Sequence, residues 1–284
     1  MIVRLAHLSD LHFGRIDQAP LQGLLQDLRA AKPDLAIVSG DLTQRARRSE
    51  FEAARSFLDH LPCDWLAVPG NHDIPAYDLV ARFVGPYRRY KRWIMSSLMP
   101  VWRHQGVVVV GVNSARRVGS TFNWADGRVS VEQMEAAARQ LGPPEESTHR
   151  ILVAHHPFLK LDGMEEVTQG LVGRHEMATK ALHKAQVDLI LAGHLHRSYH
   201  GQLDIDEDGS RLFVVQAGTA TSTRLRGQAN AYHLLDLDPG RIAIQSRAWI
   251  KGRFRPDEQL RLAQGNDRQW RVVEGEGPPK VQPA

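Results

Sequence analysis

Up to Gly193, short and strongly apolar segments alternate along the chain with segments whose apolar residues recur at helical spacing. The segments "DLAIVSG" and "VDLILAGH" have the pattern of buried strands. Between such strands, "PLQGLLQDLRAAK" and "SVEQMEAAARQL" have the spacing of amphipathic helices. After Gly193, three β-rich segments follow one another with turn signals between them, which predicts consecutive antiparallel strands. The alternation predicts an α/β fold class with two sheets, the later part being richer in β-structure.

Two helix starts have the residue spacing of a capping box. Ser49 stands three residues before Glu52, and Ser130 stands three residues before Gln133. In a capping box the serine accepts a bond from the helix backbone and the acid or amide bonds back to the serine N–H. We therefore expect a helix to begin at each of these serines.

Composition and charge narrow the class of protein. The 284 residues are enough to bury a sizeable core, and the single cysteine, Cys63, fits a reducing compartment because no intramolecular disulfide is possible. No apolar segment is long enough to span a membrane, and the apolar run at the N-terminus is too short for a signal peptide. The net charge of +4 permits an anionic partner without requiring one. These features predict a cytoplasmic globular protein.

Carboxylate, amide and imidazole side chains stand where five of the predicted strands end. In chain order they are Asp10 and His12, then Asp41, then Asn71, His72 and Asp73, then His155 and His156, and finally His194 and His196. Because sites in open α/β sheets form at the carboxyl ends of strands, we expect these side chains to meet. One such histidine alone would most simply be a core or surface residue, whereas the whole set favours a metal site.

The ordered motifs resemble the signature of the calcineurin-like metallophosphoesterases, which runs D-x-H, G-D, G-N-H-[DE], H and G-H-x-H. Every element is present between residues 10 and 196. The resemblance implies a two-sheet αββα sandwich with a dinuclear metal site at the carboxyl ends of the strands. It implies a phosphoester hydrolase in which a hydroxide bridging two ions is the nucleophile. It places the family domain at residues 1–255, which leaves 256–284 as a C-terminal extension that we expect to be partly disordered.

The resemblance also implies how the metal ligands divide. Asp41 would bridge two divalent ions, because a carboxylate offers an oxygen to each. The remaining ligands would form two sets, namely Asp10, His12 and His196, and Asn71, His155 and His194. Mixed nitrogen and oxygen donors suit first-row transition ions rather than Ca²⁺. We expect Mn²⁺ or Fe²⁺, with Zn²⁺ as the alternative.

Five further residues are expected to act on the substrate. The resemblance makes His72 the general acid for the leaving oxygen, or a donor that stabilises the transition state. Asp73 is grouped with it as a catalytic residue that orients the site. His156 is expected near the phosphate, and Arg224 and Arg226 are candidates to bind a second phosphate oxygen or a carboxylate. A solvated surface turn is the alternative interpretation for the two arginines.

Motif differences narrow the substrate. Protein Ser/Thr phosphatases have G-D-x-V-D-R-G, whereas Gln44 replaces the second Asp here, and lipid A precursor pyrophosphohydrolases have arginine where this chain has His72. The pattern is most similar to small bacterial class III cyclic-nucleotide phosphodiesterases and glycerophosphodiesterases. We therefore expect hydrolysis of a cyclic nucleotide or another small phosphodiester. The alternatives are a phosphomonoesterase, a nuclease, a phospholipid-type esterase and, from another functional class, a non-catalytic metal-binding scaffold.

Partners other than the small phosphoester are left open. Residues 86–93, "PYRRYKRW", interleave basic and aromatic side chains, a pattern that can bind nucleic acid or an anionic membrane. A solvated helix or a cap over the mouth of the site is the favoured interpretation of this segment. A homo-oligomer is also compatible with the sequence.

Overall fold

The computed structural model describes residues 1–118, 125–143, 149–158, 172–204 and 211–274. Within them, thirteen strands form two mixed sheets that pack face to face. None of the helices in these ranges is long and apolar enough to cross a membrane.

The first sheet has seven strands, with bounds β1 Val3–Leu8, β2 Leu35–Val38, β3 Asp64–Ala67, β10 Ala231–Asp238, β11 Arg241–Ile250, β12 Arg253–Gln264 and β13 Trp270–Glu274. Their order across the sheet is β13-β12-β11-β10-β1-β2-β3. β1, β2 and β3 run parallel to one another. On the other side of β1, each neighbouring pair from β1 and β10 to β12 and β13 is antiparallel.

The second sheet has six strands, with bounds β4 Val101–His104, β5 Val107–Gly111, β6 His149–Val153, β7 Leu189–Ala192, β8 Tyr199–Asp204 and β9 Arg211–Gln216. Their order is β4-β5-β6-β7-β9-β8. The four central strands are parallel, and the edge strands β4 and β8 are antiparallel to their neighbours.

Helices cover the outer face of each sheet. Their bounds are α1 Gln18–Ala31, α2 Arg48–Asp59, α3 Leu79–Val84, α4 Arg88–Trp93, α5 Val131–Leu141 and α6 His175–Lys184. Side chains of α1, α2 and α4 pack on the first sheet, and those of α5 and α6 pack on the second. Alternate residues of one strand serve different layers: Leu5 points between the sheets and Leu8 points toward the helices. The αββα sandwich that was expected is thereby confirmed.

One of the two predicted capping boxes forms. Ser130 Oγ accepts from the Gln133 backbone N–H at 3.2 Å, and Gln133 bonds back to the Ser130 N–H at 3.1 Å. In α2, Glu50 has the corresponding place and accepts from the backbone N–H just before the helix at 3.2 Å. The box predicted for Ser49 and Glu52 is therefore wrong, because α2 begins earlier than the sequence pattern suggested.

The later strands differ from their predicted arrangement. β9 joins the second sheet parallel to β7, and it does not pair with β10. Both faces of β9 are covered, since Val215 faces the inter-sheet core and Val214 faces the helices. The prediction of consecutive antiparallel strands is correct only from β10 onward.

The boundary drawn at residue 255 falls inside β12. Residues 256–274 continue the first sheet, and Trp270 of β13 packs into the inter-sheet core. The indole N–H of Trp270 donates to Asp188 at 2.7 Å, which ties β13 to the start of β7. Residues 275–284 of the predicted extension lie outside the described residues.

The basic and aromatic segment 86–93 forms α4, in agreement with the helical interpretation. Its aromatic residues face inward: Tyr90 is buried and its hydroxyl donates to the Ala67 carbonyl at 2.8 Å, while Trp93 packs beside the first sheet. Arg89 donates to the Ala46 carbonyl at 3.0 Å and pairs with Asp78. This segment therefore uses most of its aromatic surface to attach to the protein.

Candidate metal centre

All seven predicted metal ligands lie together where strands of the two sheets end. Three loops come from the first sheet, after β1, β2 and β3, and two come from the second sheet, after β6 and β7. They supply Asp10, His12, Asp41 and Asn71 from the first sheet and His155, His194 and His196 from the second. The site is thus assembled across the edge where the sheets meet.

Five of the seven ligand positions have a left-handed backbone, namely Asp10, His12, Asp41, His194 and His196, with φ between 51° and 82°. Non-glycine residues rarely adopt this conformation, which costs on the order of 1 kcal/mol or more at each position. Backbone bonds between the loops hold it: the N–H groups of Asp10 and His12 donate to the carbonyls of Gly40 and Asp41 at 3.1 and 2.9 Å. Strain of this kind is typical of functional loops.

Two glycines permit the loops to approach one another. A Cβ at Gly70 would lie 2.1 Å from Asp41 Oδ1, and a Cβ at Gly193 would lie 1.8 Å from Ser9 Oγ. Both distances are far inside van der Waals contact, so any side chain at either position would push a ligand loop away.

Four ligands form the first cluster, and all are buried: Asp10, His12, Asp41 and His196. Asp10 Oδ1 lies 3.6 Å from His12 Nε2 and 3.4 Å from His196 Nε2, and the two imidazole nitrogens are 3.1 Å apart. Asp41 Oδ2 is 3.7 Å from His12 Nε2. The four donor atoms converge on one small volume.

A second cluster adjoins the first through the same carboxylate. Asp41 Oδ1 lies 3.5 Å from His155 Nε2. Asn71 Oδ1 lies 3.1 Å from both His155 Nε2 and His194 Nδ1, and these two nitrogens are 3.2 Å apart. Asp41 therefore presents one oxygen to each cluster.

Backbone carbonyls orient several of the imidazoles. The Nδ1–H of His155 donates to the Ser39 carbonyl at 2.8 Å, and that of His196 donates to the Arg224 carbonyl at 3.0 Å. A donor bond of this kind fixes the tautomer and leaves Nε2 with a free lone pair toward the cluster.

Charges in the site favour ionised carboxylates and largely neutral imidazoles. Burial alone would raise the pKa of Asp10, yet His196 and His12 bring it well below its usual value. Burial lowers the pKa of His194 to about 3, and the neighbouring His155 adds to that shift. The exception is His155, whose pKa is raised because Asp41 and Asp10 outweigh the effect of burial. Ionised oxygens and neutral nitrogens are the forms that bind metal.

The residues present fit divalent metal ions. Asp10 Oδ1 is a buried carboxylate oxygen with no hydrogen-bond partner among the described residues, although an unpaired buried oxygen is costly. A set of imidazole nitrogens with carboxylate and amide oxygens suits first-row divalent ions. This is therefore a divalent metal site.

His72 lies beside the clusters with one ring nitrogen free of the protein backbone. Its Nδ1–H donates to the Gln44 carbonyl at 2.8 Å, and its backbone N–H donates to Asp41 Oδ1 at 2.8 Å. Its Nε2 is 3.0 Å from Arg224 Nη1, which donates to it. Burial lowers the pKa of His72, although Asp41 opposes the shift. The structure thus places Arg224 against His72, and its contact with a substrate stays a prediction.

Asp73 is placed to orient the site, as expected, and not to contact a substrate. Its carboxylate accepts from the backbone N–H groups of Leu42, Thr43 and Gly70 at 3.2, 2.9 and 2.9 Å, and from the Thr43 hydroxyl at 2.9 Å. Burial and Asp41 raise its pKa to about 6. The side chain joins the loops after β2 and β3, so it positions Asp41 and Asn71 and does not face a substrate.

His156 differs from the open substrate contact that was predicted for it. His156 is fully buried, its Nδ1 is 2.9 Å from Ser114 Oγ and its Nε2 is 2.9 Å from the Ala125 carbonyl. Both ring nitrogens are thus engaged, and the ring packs 4.7 Å from that of His194. Arg226 is exposed. His156 thus supports a ligand loop, and the substrate contact of Arg226 stays a prediction.

A cleft of about 310 Å³ opens beside the site. Its lining includes Asn71 and His72 from the site and also Arg45, Tyr77 and Arg82. The space is large enough for a small organic ester.

Several supporting residues were not identified from the sequence. Ser9 Oγ donates to Asp10 Oδ2 at 2.6 Å, and Thr219 Oγ1 donates to the Asp10 carbonyl at 2.7 Å. The Gln44 carbonyl anchors His72. Ser9 could have been found, since it is the first polar residue after β1, but a carbonyl leaves no signal in residue type.

The model of one protein family, described as calcineurin-like phosphoesterase, matches residues 3–198. That range holds every residue of the two clusters and His72.

Two curated proteins and one solved structure illustrate the similarity. A probable cyclic nucleotide phosphodiesterase of Synechococcus sp. is 28% identical over 214 residues, 70% of this chain and 75% of that protein. A probable glycerophosphodiester phosphodiesterase of Arcobacter nitrofigilis is 29% identical over 207 residues, 65% of this chain and 71% of that protein. The structure of a purple acid phosphatase from yellow lupin superimposes with a TM-score of 0.70 at 13% identity, over 100% of this chain and 57% of that one, which shows the shared fold.

Proposed function

The chain belongs to the calcineurin-like phosphoesterase family, and from that premise we propose that it hydrolyses a small phosphodiester with the help of two divalent ions. Membership makes it a phosphoester hydrolase. The number of ions, their identity and the ester are the parts that the proposal adds.

The observation that carries the two-ion proposal is the placement of Asp41. Its Oδ2 faces the cluster of His12, and its Oδ1 faces that of His155, at 3.7 and 3.5 Å. A carboxylate shared in this way is suited to bridge two ions. Asp10, His12 and His196 would hold the first ion, and Asn71, His155 and His194 would hold the second. Asn71 is a neutral donor, so the site keeps net positive charge for a phosphate.

Bound ions would acidify a water molecule and neutralise the charge on the phosphoryl oxygens. Mn²⁺ or Fe²⁺ fits the mixed donor set, and Zn²⁺ is the alternative.

His72 would protonate the leaving oxygen from Nε2 once this nitrogen has taken up a proton and Arg224, which donates to it in this structure, has turned to the substrate. The bond from Nδ1–H to the Gln44 carbonyl fixes the ring so that Nε2 points away from the backbone. The lowered pKa of His72 makes its protonated form a stronger acid. Arg224 already donates to Nε2, so its guanidinium is placed to bind an ester or phosphoryl oxygen next to the leaving group.

The substrate proposed first is a cyclic nucleotide, with a glycerol-type phosphodiester as the second candidate. Support comes from the two curated relatives, whose names specify these substrates. The cleft beside His72 has room for the alcohol part of either. A phosphomonoester is the remaining alternative within the same chemistry.

The test combines metal analysis with turnover on one sample reconstituted with Mn²⁺. We expect two ions per chain and faster hydrolysis of bis(p-nitrophenyl) phosphate than of its monoester. Asp41→Asn is expected to lower occupancy of both sites, since it removes the shared charge, whereas Asn71→Ala should lower mainly one. Asp59→Asn, in an exposed pair on α2, is the matched control and should bind metal as the wild type does.

Preferred monoester turnover would contradict the diester proposal. Metal binding without turnover of either ester would contradict hydrolysis by this site. Equal occupancy in Asp41→Asn and the control would contradict the bridging role.

A further inference from the structure

An apolar surface borders the cleft on α3. We call the five side chains Tyr77, Leu79, Val80, Phe83 and Val84 the α3 surface. Their exposed fractions are 80%, 53%, 74%, 49% and 84%. Scattered exposed apolar residues are ordinary, but five within eight consecutive positions form a patch of the kind that marks an interaction site.

α3 is amphipathic in the reverse sense to a normal surface helix. Its charged residue, Arg82, is 1% exposed and points inward, while the apolar residues around it point to solvent. The Arg82 guanidinium donates to the carbonyls of Arg117 and Pro75 at 2.6 and 3.0 Å. These bonds fix which face of the helix points outward. The apolar exposure is therefore held by a buried anchor.

Exposed arginines surround the α3 surface. The guanidinium carbon of Arg45 lies 5.6 Å from the centre of the Tyr77 ring. Arg45 and Tyr77, together with Arg47, line a shallow depression next to the α3 surface. Arg117 donates to the Phe83 carbonyl at 3.3 Å, and the backbone N–H of the exposed Arg88 donates to the carbonyl of Gly85, the residue that ends α3, at 3.0 Å. Asp78, the acidic residue at the start of α3, is paired with Arg89. The rim is therefore positively charged.

We propose that the α3 surface docks on an anionic lipid bilayer. Leucine, valine and phenylalanine side chains enter the boundary between headgroups and acyl chains, and arginines around them pair with lipid phosphates. A symmetric contact with a second copy would place the same arginines against one another, which opposes it. Nucleic acid would leave the aliphatic side chains without an apolar partner.

Docking would place the cleft at the level of the headgroups. Tyr77 and Arg45 line both the cleft and the depression next to the α3 surface. Esters in or near the headgroup layer would then have the shortest path to His72. The docking itself does not depend on the proposed activity, because none of the five apolar side chains belongs to the metal site.

The test is sedimentation of the full chain with vesicles. We expect binding to vesicles of about equal phosphatidylglycerol and phosphatidylcholine at about 0.1 M salt, weaker binding at higher salt, and little to pure phosphatidylcholine. The double variant Val80→Ser/Val84→Ser should lower partitioning about tenfold or more. Arg88→Gln should lower it about fivefold. Val273→Ser, 63% exposed on β13, is the matched control and should bind as the wild type does.

Turnover of soluble bis(p-nitrophenyl) phosphate separates docking from catalysis and should be equal in all these variants and the wild type. Absence of wild-type binding to the anionic vesicles would overturn the proposal. So would equal binding by the double variant and the control. A dimer in sedimentation velocity that the double variant converts to a monomer would assign the α3 surface to a second copy instead.

Discussion

His72 is the residue whose environment separates chemistry from metal binding. It donates from Nδ1 to a backbone carbonyl and from its backbone to Asp41, yet its Nε2 is turned toward Arg224. The ligands around it have a free donor atom directed to a shared volume, whereas Nε2 of His72 lies outside the two clusters of possible ligands. Removing the ring should therefore affect the rate more than the metal.

His72→Ala is expected to keep its metal and lose about 10²–10⁴-fold in kcat on a diester with a poor leaving group, because proton donation to the leaving oxygen is lost. The measurement is metal content and steady-state kinetics on the same sample. A leaving group as good as p-nitrophenolate should reduce the loss, since it needs less protonation. His104→Ala, at an exposed position on β4, is the control. Unchanged kcat in His72→Ala would remove the role assigned to this residue.

At the scale of elements, the loops after β2 and β3 are held together by one carboxylate. Asp73 accepts four bonds that join Leu42 and Thr43 to Gly70, and it has no surface toward the cleft. Asp41 and Asn71 stand on these two loops. The geometry of the shared carboxylate therefore depends on a residue that is not a ligand.

Asp73→Asn is expected to lower the free energy of unfolding by about 2–4 kcal/mol. In the wild type the backbone N–H groups donate to carboxylate oxygens, whereas in the variant some of them would face an amide nitrogen that cannot accept. Urea unfolding in EDTA measures this without a contribution from metal. The variant should also bind metal more weakly than the wild type. At saturating metal its kcat should be close to that of the wild type. Asp59→Asn should change stability by less than about 0.5 kcal/mol, as an exposed pair. A loss of kcat at saturating metal with normal stability would restore the catalytic assignment.

The elements that sequence reasoning identified are those with strong local patterns. The central strands and the Ser130 helix start were predictable because burial on both faces and a capping box each depend on a few adjacent residues. α3 was missed because its apolar residues face outward, so its pattern contains no core stripe. β12 was cut at residue 255 because its exposed side chains resemble a polar tail.

The residues of the candidate site were predictable from the sequence, but not all of their contacts were. Strand-end motifs identified the residues that meet, since topology brings the ends of neighbouring strands together. They did not reveal that the nitrogens of His156, expected near the phosphate, are engaged by Ser114 and Ala125, because those contacts come from loops distant in sequence. The same holds for Asp73.

At the scale of the whole molecule, the two sheets also meet through buried histidines below the site. His233 of β10 lies on the inter-sheet face, and its Nε2–H donates to the Gln216 carbonyl of β9 at 3.1 Å. His7 of β1 is the residue paired with His233 in the sheet. Burial lowers the pKa of His233 to about 4. In the unfolded chain it would titrate near 6.5.

This difference predicts acid sensitivity. The folded-state pKa is the lower one, so the stabilisation is present above pH 6.5 and is lost as pH falls toward 4, where the unfolded chain gains the proton first. Between pH 7 and pH 5, His233 alone should cost about 2 kcal/mol of unfolding free energy. His233→Gln should have a shallower pH dependence than the wild type in urea titrations with EDTA. Parallel pH profiles would show that His233 does not titrate as described.

The order of the first sheet has a consequence for how the protein is made. β1 leaves the ribosome long before β10, yet it lies between β10 and β2 in its sheet, and Leu5 pairs with Leu235 of β10. At a synthesis rate of roughly 5–20 residues per second, one edge of β1 waits about 10–45 s for its partner. β1 is apolar and is buried in the finished fold. During that interval its unpaired edge can pair with other nascent chains. Slow translation, or a stop before β10, would therefore leave a species that depends on chaperones.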